Sequence, residues 1–176
     1  MGVQSCAIPE QALLFQYAKG NGYADCYVAE LAGAIDLAGY VAAFYTTFLF
    51  KIERALLALA ARPSTDRQAK SLASGESAAF AAWRVEARTD DQLLMCDLSA
   101  RTRSWFMIVP TRIGAQNATR LYFGSAVTAI TNESTGRDSI GPLFQALMGF
   151  HKLYSRMLLR AASRKCGRLL GSEAKQ

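Results

Sequence analysis

The last third of the chain constrains the fold most, because its sequence predicts one long amphipathic helix over residues 140–168. Apolar residues recur there at intervals of three and four, which places side chains on one face of an α-helix. These residues are Leu143, Leu147, Phe150, Tyr154, Met157, Leu158 and Ala161. We predict that this apolar stripe lies at the centre of the core.

A row of basic residues, here called the basic ridge, follows the same helix at intervals of four: Lys152, Arg156, Arg160, Arg164 and Arg168. From residue 139 onward there are seven Lys or Arg residues and one Glu, so this part carries the whole net charge of +6. The ridge is either a solvated face or a contact surface for lipid headgroups, another protein or nucleic acid. Nucleic acid is the least favoured partner, because no recognised binding motif accompanies the charge.

Length and composition fit one folded domain. The 176 residues are 51% hydrophobic and 19% charged, which is typical of a globular protein. We expect an N-terminal arm (1–22), a core (23–168) and a flexible tail (169–176). Lys51, Glu53 and Arg54 interrupt the most apolar run, and the N-terminus lacks a secretory pattern, so a cytoplasmic protein is expected. Four scattered cysteines and one histidine predict no metal site, and no cofactor motif is found.

The order of predicted elements indicates an α+β fold. Residues 23–31 alternate like a strand, and a helical segment that Asp36 can cap follows to residue 61, either buried or divided in two. A short helix through Leu72 and four strands, near 80–89, 92–98, 101–110 and 119–130, come next. We predict a curved antiparallel sheet around the long C-terminal helix, with helices between the first strand and the meander.

Four segments carry a family resemblance: residues 48–54 (FLFKIER), 101–105 (RTRSW), 121–126 (LYFGSA) and 150–154 (FHKLY). Over residues 23–165 the chain resembles an uncharacterised bacterial family of the START and plant-allergen-like (SRPBCC) superfamily. That superfamily has the helix-grip fold, in which the sheet wraps a C-terminal helix and often leaves an apolar cavity. The resemblance implies this architecture and no particular reaction.

His151 is the one histidine and lies at the side of the apolar stripe. It titrates near neutral pH and could point between helix and sheet as a catalytic acid or base. That role needs a partner, for which Asp97, Glu53 or Tyr122 are candidates. The alternative is a half-buried histidine bonded to a strand or loop.

Two arginines are candidate ligand anchors. Arg54 lies in an apolar helix, and a buried charge must be paired. Its guanidinium could hold a ligand carboxylate or phosphate, or Glu53 or Arg54 could form a structural ion pair with Arg103 or Asp97. Arg101, Arg103 and Trp105 share a strand face if the strand is regular. The aromatic residues that could form either cavity walls or plain core are Trp83, Trp105, Tyr122 and Tyr154.

Together these features predict a protein that binds a small, mostly apolar or amphipathic molecule between sheet and closing helix. One alternative is a cyclase- or hydratase-type enzyme with His151 as the acid or base. The other is a non-catalytic interaction protein that uses the basic ridge. The sequence gives no indication of the oligomeric state.

Overall fold

The computed structural model describes the backbone of residues 2–59, 63–131, 138–139 and 142–173. Side chains are described for residues 2–55, 63–129 and 148–172. Within these ranges the chain is an α+β protein built on one antiparallel sheet that is curved and not closed. The predicted fold class is therefore confirmed, and the architecture is compatible with a helix-grip fold.

Seven strands form the sheet in the order β1-β2-β7-β6-β5-β4-β3. Their bounds are β1 Val3–Ser5, β2 Tyr23–Ala32, β3 Ala79–Phe80, β4 Trp83–Arg88, β5 Gln92–Asp97, β6 Thr102–Ile113 and β7 Gln116–Val127. Strands β2, β7 and β6 form its long centre. Strands β8 (Ile130–Thr131) and β9 (Asp138–Ser139) pair in a separate two-stranded sheet.

Local hydrogen bonds set the ends of the helices, which are α1 Phe15–Ala18, α2 Leu37–Tyr45, α3 Phe48–Leu59, α4 Asp66–Ser74 and α5 Pro142–Glu173. Asp36 caps α2, because its Oδ1 accepts from the Gly39 N–H at 2.7 Å. Thr47 Oγ1 accepts from the Phe50 N–H at 3.2 Å, so the predicted long helical segment divides in two. Thr65 forms a capping box with Gln68 at the start of α4.

The sheet has apolar side chains on both faces. Successive residues of a strand point to opposite faces, so on β6 Phe106 and Ile108 lie on the inner face, whereas Trp105 and Met107 lie on the outer face. Helices α2 to α5 cover the inner face. The outer face packs against the N-terminal arm, including the fully buried Leu14.

The N-terminal arm pairs with the sheet and packs on its outer face. Strand β1 pairs with β2, and the following residues cross the outer face of the sheet. The buried Gln92 side chain holds them there: its Oε1 accepts from the Leu13 N–H and from Trp105 Nε1–H, both at 2.9 Å. Its amide Nε2 donates to the Gln11 carbonyl at 3.2 Å. The arm is thus a cover for the sheet.

The buried face of helix α5 overlaps the predicted stripe only in part, at the buried Leu158 and the half-buried Tyr154. Its buried residues are Ser155, Leu158, Leu159, Ala162, Ser163 and Cys166. Phe150 is 66% exposed and Met157 is 48% exposed, and the side chains of Leu143 and Leu147 lie outside the described residues. The prediction was wrong for Phe150 and Met157, because hydrophobicity selected large side chains, whereas the buried face combines Leu158 and Leu159 with small residues that permit close packing. The helix also continues to Glu173, so residues 169–173 are helical rather than a tail.

Replacing Gln92 with Leu should lower the free energy of unfolding by about 2 kcal/mol. The variant leaves two buried or half-buried donors, the Leu13 N–H and the Trp105 indole N–H, without their partner, and each such group costs about 1–3 kcal/mol before relaxation. Urea unfolding followed by tryptophan fluorescence measures the change. The matched control is Gln16→Leu, because Gln16 is exposed apart from one bond to the Leu13 carbonyl. Equal stability of Gln92→Leu and the wild type would contradict this role.

Candidate functional site

A small cavity lies between the inner face of the sheet, helices α2 and α3, and helix α5. Its volume is about 160 Å³. An engineered apolar cavity of similar volume holds benzene, so the space fits one ring or a short branched chain. Its lining residues are Phe44, Tyr45, Phe50, Glu53, Trp83, Thr102, Ser104, Phe123, Ser125, His151, Tyr154, Ser155 and Leu158.

The apolar walls belong to one aromatic cluster. The Phe44 ring lies 4.7 Å from the Phe123 ring and 5.6 Å from the Tyr45 ring, measured between centroids. The Tyr45 ring in turn lies 4.8 Å from Phe50 and 5.0 Å from Phe80. Since these rings pack on one another, each is held in place independently of any ligand. The cavity is therefore preformed on this side.

A hydrogen-bond network connects α5 to the sheet at the opposite wall. His151 Nε2 lies 2.7 Å from Ser125 Oγ, which lies 2.6 Å from Asp25 Oδ1. Asp25 also accepts from the hydroxyls of Tyr23 and Tyr27, at 2.8 and 3.1 Å. Tyr23, Asp25 and Tyr27 alternate along β2, which places all three on the inner face.

The directions of these bonds fix the role of Ser125. An ionised carboxylate only accepts hydrogen bonds, and a serine has a single O–H to donate. The Ser125 hydroxyl therefore donates to Asp25, and its oxygen accepts the Nε2–H of His151. A serine nucleophile needs the reverse arrangement, in which the histidine accepts the hydroxyl proton. In this arrangement His151 acts as a donor that positions Ser125.

Burial lowers the pKa of His151, because desolvation disfavours the imidazolium. The nearby Asp25 carboxylate, with Oδ2 at 3.7 Å from His151 Nε2, opposes this shift. The sequence suggested Asp97, Glu53 or Tyr122 as partners, whereas Ser125 and Asp25 provide these contacts. Asp97 instead accepts from the Arg101 and Thr102 amides in the β5–β6 turn.

A second polar group in the cavity is formed by Glu53, Tyr154 and Tyr45. The Tyr154 hydroxyl donates to Glu53 Oε2 at 2.6 Å. Burial raises the pKa of Glu53, although the Tyr154 bond opposes the shift. The Tyr45 hydroxyl is buried and has no hydrogen-bond partner among the residues that the structure describes. Burial and the nearby Glu53 charge raise the pKa of Tyr45.

Arg54 lies outside the cavity, on the side of α3 that faces α4. Its Nε donates to Ser64 Oγ at 3.1 Å and its Nη1 pairs with Asp66 Oδ1 at 2.5 Å. Hydrogen bonds from Lys51 and Arg54 lower the pKa of Asp66. Arg54 is thus a structural ion-pair residue, the second of the two interpretations, but its partner is Asp66 rather than Asp97.

Three other predicted site residues lie away from the cavity: Arg103 and Trp105 on the outer face, and Tyr122 against the same outer cluster. Arg103 Nε pairs with Glu86 Oε2 at 3.1 Å, and its guanidinium lies 4.5 Å from the centroid of the Tyr17 ring. These side chains tie the N-terminal arm to the sheet. Arg103 and Trp105 share a strand face as predicted, whereas Arg101 precedes β6, and the shared face is turned away from α5.

The structure brings three of the seven predicted ligand-contact residues to the cavity: Trp83, His151 and Tyr154. Tyr45, Asp25 and Ser125 were not predicted, and Glu53 was considered only as an ion-pair or proton-transfer partner. The alternation of Tyr23, Asp25 and Tyr27 in β2 was an available signal for the buried carboxylate. No sequence signal marks the Tyr45 hydroxyl as unpaired, because that depends on its tertiary neighbours.

The basic ridge winds around α5 instead of occupying one face. A step of four residues exceeds one 3.6-residue turn by about 40°, so its two ends point in different directions. All five ridge residues are exposed. Lys152 lies over the Tyr23 ring and Arg156 approaches the Val3 carbonyl, next to β1 and β2. Arg160, Arg164 and Arg168 line an open groove beside the junction of α2 and α3.

No protein-family model matches this chain, and neither the curated proteins nor the solved structures contain a significant match. None of the described helices is both long enough and apolar enough to cross a bilayer. Within the described residues, no three or more His, Cys, Asp and Glu side chains are grouped to hold a metal ion. The geometry of the site is therefore the basis for its interpretation.

Replacing His151 with Gln should reduce the loss of stability at acid pH. The folded state binds a proton at His151 less readily than the unfolded state, so this group destabilises the fold as pH falls below about 6.5. A Gln amide can still donate to Ser125 but does not titrate. The free energy of unfolding, measured from pH 8 to pH 5, should fall more for the wild type than for the variant. Parallel curves would contradict the buried, neutral His151.

Proposed function

We propose that the protein binds a small, mostly apolar ligand, about one ring in size, in the cavity between sheet and α5. The observation that carries this proposal is the Tyr45 hydroxyl, which is buried at the cavity without a partner among the described residues. A buried hydroxyl without a hydrogen bond costs about 1–3 kcal/mol. A ligand with one polar atom would remove that cost.

The remaining features of the cavity agree with a binding role. Preformed aromatic walls with a few polar groups are typical of small-molecule sites. The resemblance to helix-grip proteins independently implies a ligand cavity at this place. The alternative is an enzyme that uses His151 as acid or base. The network favours this role less, because the Nε2 proton of His151 is already donated to Ser125.

NMR titration with toluene and benzyl alcohol tests the cavity. Both probes should shift the indole N–H resonance of Trp83 and the ring resonances of His151, whereas the Trp105 indole should not respond. Ser104→Leu should abolish the shifts, because the larger side chain fills space at the cavity wall. Ser5→Leu is the matched control on the exposed face of β1.

Two results would contradict the proposal. In the first, neither probe perturbs Trp83 or His151 at concentrations close to probe solubility. In the second, the shifts persist unchanged in a folded Ser104→Leu variant, which would place the binding outside the cavity.

A second candidate function is binding to an anionic phospholipid bilayer, and the groove beside α2 and α3 favours it. Phe48, 81% exposed, and Met157, 48% exposed, lie in this groove with Arg160, Arg164 and Arg168. Exposed apolar groups next to cations match the interface of a bilayer with anionic headgroups. Nucleic acid fits less well, because a phosphate backbone that binds the arginines has no apolar surface for Phe48 and Met157.

Vesicle co-sedimentation tests this candidate. The protein should bind phosphatidylcholine vesicles that contain phosphatidylglycerol, and salt should weaken the binding. Arg160→Glu with Arg164→Glu should weaken it at least about tenfold, since each basic residue near the surface contributes roughly 1 kcal/mol. Lys70→Glu on the exposed side of α4 is the control. Binding that is independent of salt and of the double substitution would contradict this candidate.

A further inference from the structure

We infer that the ligand of the cavity is a small amine, held as its ammonium ion by Glu53. This inference rests on the proposed function and specifies the chemical class of the ligand. Three independent features lead to it: the sign of charge at the cavity, the incomplete hydrogen bonding of Glu53, and the aromatic character of the walls.

The charge at the cavity is opposite to the one that the sequence suggested. Of the lining residues that the structure describes, Glu53 is the only carboxylic acid, and none is Lys or Arg. The two arginines that could have bound a carboxylate or phosphate, Arg54 and Arg103, pair elsewhere. An anionic ligand would therefore meet a carboxylate and no compensating cation.

Glu53 has the bonding capacity that an ammonium group needs. Among the described residues it accepts one hydrogen bond, from the Tyr154 hydroxyl to Oε2, so Oε1 remains available. A carboxylate removed from water without a cation is costly, and burial accordingly raises the pKa of Glu53. The neighbouring cation Arg54 does not relieve this cost, because it is bonded to Ser64 and Asp66.

The other cavity groups complete such a site. An ammonium ion donates up to three hydrogen bonds, and the unpaired Tyr45 oxygen can accept one of them alongside Glu53. The lining includes the rings of Trp83 and Tyr154, and aromatic faces attract a cation electrostatically. The apolar part of the amine would occupy the space beside Phe44 and Phe123. One site thus serves both the charge and the hydrophobic body of the ligand.

Three probes of matched shape test the inference: benzylamine, benzyl alcohol and benzoate, titrated at neutral pH by NMR or calorimetry. Benzylamine should bind at least tenfold more tightly than benzyl alcohol, and benzoate should bind most weakly. Glu53→Gln should remove the preference for the amine but leave benzyl alcohol binding within about twofold. The control Glu30→Gln removes an exposed carboxylate of β2 and should keep the preference.

A measurement without ligand tests the same site. The groups that face Glu53 across the cavity are Tyr45 on α2, Tyr154 and His151 on α5, and Asp25 behind Ser125 on the sheet. A carboxyl group whose pKa is raised by folding lowers the free energy of unfolding as pH rises above about 4.5. Glu53→Gln should therefore be more stable than the wild type at pH 8, and this advantage should shrink toward pH 5.

The outcomes separate the two proposals. The inference of an amine ligand is overturned if benzylamine and benzyl alcohol bind equally well, or if Glu53→Gln keeps the preference for benzylamine. Binding of a ligand in the cavity would remain supported in both cases. A Glu53→Gln variant that is less stable than the wild type at pH 8 also overturns it, because Glu53 would then be satisfied within the protein. Failure of all three probes to perturb Trp83 or His151 overturns the proposed function and the amine together.

Discussion

The structure depends on the need to cover a sheet that is apolar on both faces. Strands β5 and β6 present large buried side chains alternately to the two sides, such as Phe106 inward and Trp105 outward. Burial of apolar surface is the dominant favourable contribution to folding, so neither face can be left in water. Four helices cover the inner face, and the N-terminal arm covers the outer one. The cavity lies on the inner face, where His151 of helix α5 is hydrogen-bonded to Ser125 of the sheet.

The polar groups at the cavity differ in how completely they are bonded. Asp25 accepts several hydrogen bonds from its own strand and from Ser125, which in turn accepts from His151. This network is internally satisfied and anchors α5 to the sheet. Among the described residues, Glu53 accepts a single hydrogen bond and the Tyr45 hydroxyl forms none. Natural proteins rarely leave buried polar groups unpaired, so the proposal of a binding site rests on this second group.

Much of the fold could be predicted from the sequence because it is encoded locally. Asp36 and Thr65 cap the starts of α2 and α4, Gly75 ends α4 in the left-handed region, and polar turns separate the apolar segments that form β4 to β7. The local sequence does not determine which side of the sheet a strand face points to. Arg103 and Trp105 share a face as predicted, but both faces of the sheet are apolar, so nothing in the strand itself indicates which one meets α5. Helix α5 shows the same limit, because Ala162 and Cys166 are buried while the larger Phe150 and Met157 remain exposed.

We propose that an amine occupies the cavity with its nitrogen at Glu53. A crystal structure of the protein soaked with benzylamine tests this placement. We expect density for the ring against Phe44 and Phe123, with the nitrogen within hydrogen-bonding distance of Glu53 and of the Tyr45 hydroxyl. A cavity that stays empty under saturating benzylamine, or a ring bound with its nitrogen turned away from Glu53, would contradict it.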